Sequence, residues 1–480
     1  MSSSAGKKFN INTIHILIIL FFMFGFRFIP PIGSLTEISM QVIGVFVGVI
    51  YGWITVGITW PSVLGLVALG LTDYIAMSDL LVSAFGSQTI IMIFGLFMLA
   101  AFVQQADLTG IIVDFLLSRK SAKGRPFLIL FYFLLAGFIA AILSQCLAVL
   151  VIFLGLFKEI MRKTGMEPYS KAVPTFFVGM AYALVIGDIA LPFKGCAILG
   201  IGAYESLTGE TMNLMSYTVF MLPMCIFTIA AYVLFCKYIV RVDLSCLANY
   251  EHVADETEPV TFRKKVSLIG MILCMVLLLV PSILPDSWAI SGLVNNMGLG
   301  GLTLFLLAIM MLITIDGEPL LDVGKIAAYF PWGVYFVIVA LFPLADALSS
   351  DAVGLKQLLS STFSSFIPSL PSVAIIFAVV LLSALVTNFA NNMVICSLFV
   401  TIICFMGDAL PFSPVVLSCL VILGSNMSMF FPAANPMNAI LFAQKDIVTF
   451  KQEVVHGLAA CLFLCIITSI VGYLYGILVF

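Results

Sequence analysis

Two polar stretches interrupt apolar sequence, and they carry the residue types that bind ions and carboxylates. The first, GDIALPFKG at 187–195, places Asp188 and Lys194 on either side of a proline. The second, GSNMSMFFPAANPMNAILF at 424–442, combines asparagines with two prolines. Proline removes a backbone donor and clashes with the preceding turn, so we expect both helices to break, the second one near 431–437.

These two interruptions can be read as a binding site or as kinks in structural helices. Inside a membrane, unwound backbone is tolerated only where it is buried in protein or lines a cavity, and in transporters that cavity holds the substrate. A single proline-kinked helix would leave the choice open. Because the interruptions recur about half a chain apart, we favour the site of a secondary transporter.

The composition places these stretches in a membrane. Hydrophobic residues make up 62% and charged residues 9% of the 480 residues, whereas soluble proteins average roughly 25% charged residues. The first apolar run, at 11–29, lacks a small-residue cleavage site and is typical of a true span. The three histidines stand alone and the eleven cysteines form no CxxC pair. We therefore regard a membrane-embedded enzyme or a sensor as less favoured. Because the sequence has no nucleotide-binding loop, a transporter driven directly by ATP is also less favoured.

The apolar runs predict an all-α polytopic membrane protein with about 11 transmembrane helices, each about 20 residues long, plus two re-entrant hairpins. The hairpins lie at 126–160 and 371–406, and each precedes a broken segment, at 171–200 and 412–443. A short amphipathic piece is expected at 108–118. The expected full spans are 11–29, 38–56, 58–72, 86–105, 214–238, 266–284, 298–315, 331–348 and 456–479.

The basic residues predict the orientation of these spans. With the N-terminus in the cytoplasm and both hairpins returning to the side from which they enter, nearly all of the 21 basic residues fall in cytoplasmic loops. This asymmetry follows the positive-inside rule. It predicts a multi-pass protein of the cell (inner) membrane, with the C-terminus outside and the polar connector at 242–265 in the cytoplasm.

Three pairs of landmarks recur in the two halves at a nearly constant separation. The separations are 244, 243 and 244 residues for the pairs Gly110 and Gly354, Ser144 and Thr387, Pro192 and Pro436. In the expected topology the two repeats are inverted, which is the architecture of alternating-access carriers. We therefore divide the chain into N-terminal scaffold helices (1–85), a first repeat (86–238), a connector with scaffold helices (239–330) and a second repeat (331–480).

Each expected hairpin has a polar tip between apolar legs. The tips are Ser144-Gln145-Cys146 and Thr387-Asn388-Phe389-Ala390-Asn391-Asn392. Amides and hydroxyls at membrane depth are costly against lipid, so we expect them to face the broken helices and a hydrated cavity. Hydrogen bonding between helices alone would also place such groups there.

This order of tips and broken helices resembles the divalent anion–sodium symporter family of the ion transporter superfamily. The similarity covers most of the chain from about Val42 onward. Its most specific part is PAANPMNAI at 432–440, which is similar to the family's Thr-Pro-Pro-Asn-Ala-Ile stretch. The resemblance implies a homodimer of elevator-type carriers, each with a scaffold domain and a transport domain. It also implies a small-molecule anion substrate and a sodium site at Thr387, Asn388 and Asn435.

The sequence departs from that family pattern at both half-sites. Phe389 stands where a threonine is expected, and the first tip keeps only Ser144. The first break has Asp188 and Lys194 in place of glycines and a Thr-Pro-Pro run. A lysine at the centre of a membrane helix costs roughly 2.5–3.5 kcal/mol, so it should pair with Asp188. That pair could only lock the break, the ammonium could replace a bound cation or contact the substrate, or Asp188 could take up a proton.

We therefore expect a secondary active transporter of small organic anions, di- or tricarboxylates, coupled to a cation and working by an elevator mechanism. A sodium-independent anion exchanger, or a proton-coupled carrier using Lys194 and Asp188, is the alternative. Sodium is the expected bound ion, without an organic cofactor; the lipid bilayer and a second copy of the chain are the expected partners, and nucleic acid is not. The predicted site residues are Ser144, Gln145, Cys146, Gly187, Asp188, Pro192, Lys194, Thr387, Asn388, Asn391, Asn392, Asn426, Ala434, Asn435, Pro436 and Asn438.

Overall fold

The computed structural model shows an almost entirely α-helical chain. It describes residues 11–31, 35–105, 124–248, 250, 261–279, 289–354, 371–407, 410, 412–432 and 434–480. The helices are α1 (Ile11–Leu20), α2 (Glu37–Thr55), α3 (Thr59–Gly70), α4 (Met77–Gly86), α5 (Gln88–Gln105), α6 (Pro126–Leu143), α7 (Cys146–Thr164), α8 (Ala172–Gly187), α9 (Gly195–Thr208), α10 (Leu214–Leu234), α11 (Phe262–Leu279), α12 (Ala289–Leu312), α13 (Val323–Ile326), α14 (Trp332–Ser349), α15 (Ser372–Val386), α16 (Asn392–Met406), α17 (Pro414–Ser425), α18 (Pro436–Phe442), α19 (Phe450–Ile467) and α20 (Tyr473–Val479). Within the described ranges, β-structure is limited to an antiparallel ladder of Thr314–Ile315 with Glu318–Pro319. The predicted all-α polytopic membrane fold is confirmed.

Helix length separates full spans from shorter pieces. Among the described residues, four helices are long and apolar enough to cross a membrane alone: Glu37–Thr55, Pro126–Leu143, Leu214–Val240 and Phe450–Val479. Eight further apolar helices in the same part of the chain are 10–17 residues long, and several of them end at the tips and breaks. Such helices stop inside the protein, which is the arrangement that the polar tips require.

The predicted span at 86–105 is one half of a bent pair. The helix α4 precedes α5 and meets it at an angle of 47°. The helix α4 was not predicted from the sequence, because a ten-residue helix with Asp79 in its first turn lacks the length of a span.

Both tips and the first break lie where the sequence predicted them. One hairpin tip separates α6 from α7 at 144–145, and the other separates α15 from α16 at 387–391. The legs of each hairpin contact one another. The first break separates α8 from α9 at 188–194.

The position predicted for the second break was wrong by several residues. It spans 426–435 rather than 431–437, because α17 already ends at Ser425 and α18 begins at Pro436. Proline at the first position of a helix loses no hydrogen bond, since that N–H would have no partner within the helix. Pro436 therefore starts a helix instead of interrupting one.

The repeat alignment holds at the tips and needs a correction at the breaks. Ser144 and Thr387 each occupy the C-cap of the first hairpin leg. Pro192, however, lies inside its break, whereas Pro436 is the first residue of α18. The equivalent residues are Lys194 and Asn435, the N-caps of α9 and α18. Outside the described residues lie Gly110, the amphipathic piece at 108–118, the end of the span at 266–284 and residues 249 and 251–260 of the polar connector.

The two halves pack into each other. The helix α9 of the first half contacts α16 and α17 of the second, and α8 contacts both α6 and α19. At the end of α8, a Cβ on Gly187 would lie 2.6 Å from the carbonyl oxygen of Phe138. Glycine is thus required where α8 approaches the first hairpin, just before the break.

The predicted orientation can be tested by cysteine labelling. With the native Cys246 replaced by serine, we expect a membrane-impermeant maleimide to label Ser245→Cys only from the cytoplasmic side. It should label Thr211→Cys only from outside. Both positions are exposed, so accessibility within the fold does not limit the reaction. Labelling in the opposite sense would overturn both the topology and the inverted repeat.

Candidate functional site

Lys194 is held at the first tip by three acceptors. Its Nζ lies 3.0 Å from Oδ1 of Asp188 and donates a hydrogen bond of 2.6 Å to the carbonyl oxygen of Ala141. It also donates to the carbonyl oxygen of Ser144. An ammonium group has three hydrogens to donate. All three therefore have partners inside the chain.

The position of this ammonium matches the charge of the helix ends around it. Ala141 and Ser144 lie at the C-terminal end of α6, where the last carbonyl groups have no partner within the helix. The dipole of the helix makes this end negative, so a cation placed there is stabilised. The ammonium of Lys194 thus occupies a place suited to a bound metal cation, surrounded by two carbonyl oxygens and a carboxylate.

Asp188 lies between this ammonium and the start of α9. A Cβ on Gly195, the first residue of α9, would be 2.0 Å from Oδ2 of Asp188. Gly195 also has a φ of +50°, which glycine adopts at little cost. The carboxylate therefore reaches the positive end of α9 only because residue 195 has no side chain. At the first break, the Lys194 ammonium therefore occupies the negative end of α6, and the Asp188 carboxylate occupies the positive end of α9.

The second tip is tied to the second break by Thr387 and Asn388, which are both fully buried. The Thr387 hydroxyl donates to the carbonyl oxygen of Ser425 at 2.6 Å. The Asn388 amide donates to the carbonyl of Met427 at 3.1 Å and accepts from the N–H of Phe430 at 2.9 Å. These bonds pair backbone groups that the unwound segment leaves without helical partners.

Three asparagines converge on Ser428 in the middle of the second break. Asn392 and Asn435 both donate to its hydroxyl oxygen at 2.9 Å. Asn438 donates to its carbonyl oxygen at 3.0 Å, and Asn435 does so at 3.2 Å. The structure thus brings tip and break together around a serine that the sequence analysis did not single out.

The remaining predicted residues of the second half have different surroundings. Asn391 accepts from the N–H of Met393 and so caps α16. Asn426 donates to the carbonyl of Ile422 and accepts from Asn392 at 3.4 Å. Ala434 is buried, whereas Pro436 lines the cavity described next.

A cavity of about 350 Å³ opens beside the first tip. Ser144, Gln145, Asp188 and Lys194 contribute polar groups at one end, with Cys146 and Gly187 nearby. The walls are otherwise apolar and come from α5, α11, the start of α14, both hairpins, the first break and the start of α18. They include Leu96, Phe97, Leu143, Phe193, Met393 and Met437. The first half-site therefore faces a cavity, while the amides of the second pair with each other and with backbone.

Two features of this site escaped the sequence analysis. Ser425 and Ser428 are buried partners of the second tip, but serine is common in apolar helices as well. The apolar wall from α5 was read as an ordinary span, since nothing in its sequence marks the face that lines the cavity. Its position depends on packing across the whole chain.

The fold and the site together define a polytopic membrane transporter built on hairpin tips and broken helices. A family model described as Citrate transporter matches residues 46–406 of the 480, and the chain belongs to that family. This family is one of transporters rather than enzymes. The predicted relationship to divalent anion–sodium symporters is confirmed by this match and by the relatives below.

Sequence relatives match over a little more than a quarter of this chain. An uncharacterized transporter of Caenorhabditis elegans is 28% identical over 134 residues, which are 28% of this chain and 23% of that protein. The sodium-dependent high-affinity dicarboxylate transporter 3 of the same organism is 28% identical over 139 residues, 29% of this chain and 24% of that protein. The chain thus spans less than a quarter of the length of these curated relatives.

A solved structure shows the same fold. The Alcanivorax borkumensis YdaH transporter aligns with a TM-score of 0.53 over 82% of this chain and 87% of that one, at 14% identity. This likeness concerns the fold alone.

Proposed function

We propose that this chain is a secondary active transporter of small organic anions, di- and tricarboxylates among them, in which Lys194 serves as a built-in cation. Relatives whose names include sodium-dependent dicarboxylate transport support the class of substrate. In this proposal the carrier is a homodimer in the cell membrane and moves its transport domain by an elevator mechanism.

The observation that carries the proposal is the set of partners of the Lys194 ammonium. Two carbonyl oxygens at the C-terminal end of α6 and one carboxylate oxygen surround it. Hard oxygen ligands of this kind suit a sodium ion equally well. A covalently attached ammonium in this place removes the need for one transported cation.

The same partners argue against direct contact between Lys194 and the substrate. Every hydrogen of the ammonium is already used within the chain, and a substrate carboxylate would have to displace Asp188 or a carbonyl. Asp188 is likewise engaged with Lys194, so proton uptake there would require the ion pair to open. A proton-coupled or sodium-independent carrier is therefore the second candidate.

The second half-site offers the residues for one sodium ion. Oδ1 of Asn438 is buried and has no hydrogen-bond partner among the described residues. Most other side-chain oxygens of the cluster are engaged, and a buried acceptor without a partner costs about 1–3 kcal/mol. A cation near Asn438, with Thr387, Asn388 and Asn435 around the same break, would satisfy it. The proposal is thus one transported sodium at this half-site.

Uptake by purified protein in proteoliposomes tests the function. We expect a labelled panel of succinate, citrate and monocarboxylates to include substrates that accumulate with an inward sodium gradient and exchange when sodium is equal on both sides. Uptake that follows a proton gradient and ignores sodium would favour the second candidate. Absence of carboxylate movement under every gradient would contradict the proposal.

Replacing Asn438 by alanine should weaken sodium binding. We expect Asn438→Ala to need a higher sodium concentration for half-maximal uptake, because the unpaired oxygen is removed. Asn296→Ala, an exposed asparagine of α12, is the matched control and should leave the sodium dependence unchanged. If both variants keep the sodium dependence of the original chain, Asn438 does not contribute to the ion site.

A further inference from the structure

The cavity beside the first tip has a composition that a carrier of highly charged anions would not need. Its wall residues from α5 are Leu96, Phe97, Leu99 and Ala100, and Val334 of α14 continues the same surface. A carboxylate facing such a wall loses its hydration without gaining a hydrogen bond, which is strongly unfavourable. Most of this cavity therefore suits apolar groups.

One end of the cavity can receive a single carboxylate. Ser144 is 6% exposed and lines the cavity, and its hydroxyl has no hydrogen-bond partner among the described residues. The side-chain amide of Gln145, which also lines the cavity, has none in the same part of the chain. Both residues precede α7, a helix of 19 residues that begins at Cys146. The first N–H groups of a helix attract an anion, and here a hydroxyl and an amide stand beside them.

A second carboxylate would find no equivalent place. The ammonium of Lys194 is fully used by its three partners within the chain. The carboxylate of Asp188 at the same end is paired with this ammonium, so the ion pair leaves no free cation for a second carboxylate. The remaining surface is the apolar wall. Charge and polarity thus favour one acidic group near Ser144 and an uncharged body beyond it.

We infer that the preferred ligand of this cavity is a carboxylate with one acidic group and an apolar body, such as a short-chain or aromatic monocarboxylate. This inference rests on the proposed transport function and narrows its substrate class. The acidic group binds at Ser144, Gln145 and the start of α7. The body lies against Leu96, Phe97 and Val334. A cavity of about 350 Å³ is at the lower end of the range for small-molecule sites, so only a small body fits.

A homologous series of acids tests this inference. Binding is measured by calorimetry on the full chain in lipid nanodiscs, with empty nanodiscs subtracted to remove partition into lipid. From acetate to hexanoate, we expect the dissociation constant to fall by about fourfold for each methylene, until the cavity is full. Succinate and citrate should bind more weakly than monocarboxylates of similar size.

Two controls distinguish specific binding of a carboxylate in this cavity from nonspecific binding to an apolar surface. Hexanol, with the same chain but no charge, should bind much more weakly than hexanoate. Val334→Thr places a hydroxyl in the wall at constant volume and should weaken hexanoate more than acetate. Val415→Thr, the same change at a partly buried valine that does not line the cavity, should leave both affinities unchanged.

The outcomes distinguish this inference from the proposed function. The inference would be overturned if the dissociation constant did not change from acetate to hexanoate and succinate or citrate bound most tightly. The proposed transport of organic anions would then remain intact. Equal binding of hexanol and hexanoate would also overturn it, because the cavity would then be an apolar pocket without a carboxylate site. If no acid binds and none is transported in proteoliposomes, the inference and the proposed function both fail.

Discussion

Replacing Lys194 by glutamine is expected to abolish uptake at low sodium and to restore it at high sodium. The change leaves the Asp188 carboxylate and the carbonyl oxygens of Ala141 and Ser144 around a place without a cation. Breaking a buried ion pair costs about 3–5 kcal/mol. The two side chains are 16% and 25% exposed, so we expect a loss near the lower end, about 3 kcal/mol. Substrate uptake measured at a series of sodium concentrations tests the first effect. Thermal unfolding at the same sodium concentrations measures the loss of stability.

The double variant Asp188→Asn with Lys194→Gln provides the internal control for this prediction. It removes the uncompensated charge, so thermal stability should recover more completely than uptake does. Lys451→Gln, at an exposed lysine, should change neither property. Normal uptake by Lys194→Gln with unchanged ion dependence would show that the ion pair only locks the break.

The second large effect is expected from Gly195→Ala. A methyl group at this position would lie 2.0 Å from Oδ2 of Asp188, so the carboxylate must move away from the start of α9. The φ of +50° adds about 1–2 kcal/mol of backbone strain for an L-residue. We expect a clear loss of thermal stability and uptake reduced to a small fraction, although no charge has been altered.

Gly155→Ala is the matched control for this substitution. Gly155 lies within α7, and no atom is within 4 Å of a Cβ built there. Alanine favours a helix over glycine by about 1 kcal/mol, so this variant should be as stable as the original chain or slightly more stable. Normal uptake by Gly195→Ala would contradict the role assigned to the Asp188 carboxylate at α9.

The class of fold and the position of the polar segments could be predicted because they depend on local rules. A long apolar run must form a helix in a membrane, and a polar cluster within such a run must find partners inside the protein. Ser144, Asp188 and Lys194 were predicted at a tip and a break for this reason. The pairing of Asp188 with Lys194 followed from the cost of an isolated charge at membrane depth.

The parts that could not be predicted depend on packing between distant segments. The carbonyl oxygens of Ala141 and Ser144 became partners of Lys194 only because α6 ends beside the first break. Backbone carbonyls carry no sequence signal. The convergence of three asparagines on Ser428 likewise results from a break that begins earlier than its prolines suggested. The part of the apolar cavity wall that comes from α5 consists of leucine, phenylalanine and alanine, which do not differ in kind from the rest of an apolar span.

The ratio of sodium to substrate is the most direct test of a built-in cation at the first half-site. In proteoliposomes with the membrane potential clamped at zero, the substrate accumulates until its gradient balances that of the coupled ions. One coupled sodium makes the final substrate ratio equal to the sodium ratio, and two make it the square of the sodium ratio. For the original chain we predict a final substrate ratio equal to the sodium ratio. For Lys194→Gln, where a second sodium replaces the ammonium, we predict a substrate ratio equal to the square of the sodium ratio. A final substrate ratio equal to the square of the sodium ratio for the original chain would contradict the role of Lys194 as the second cation.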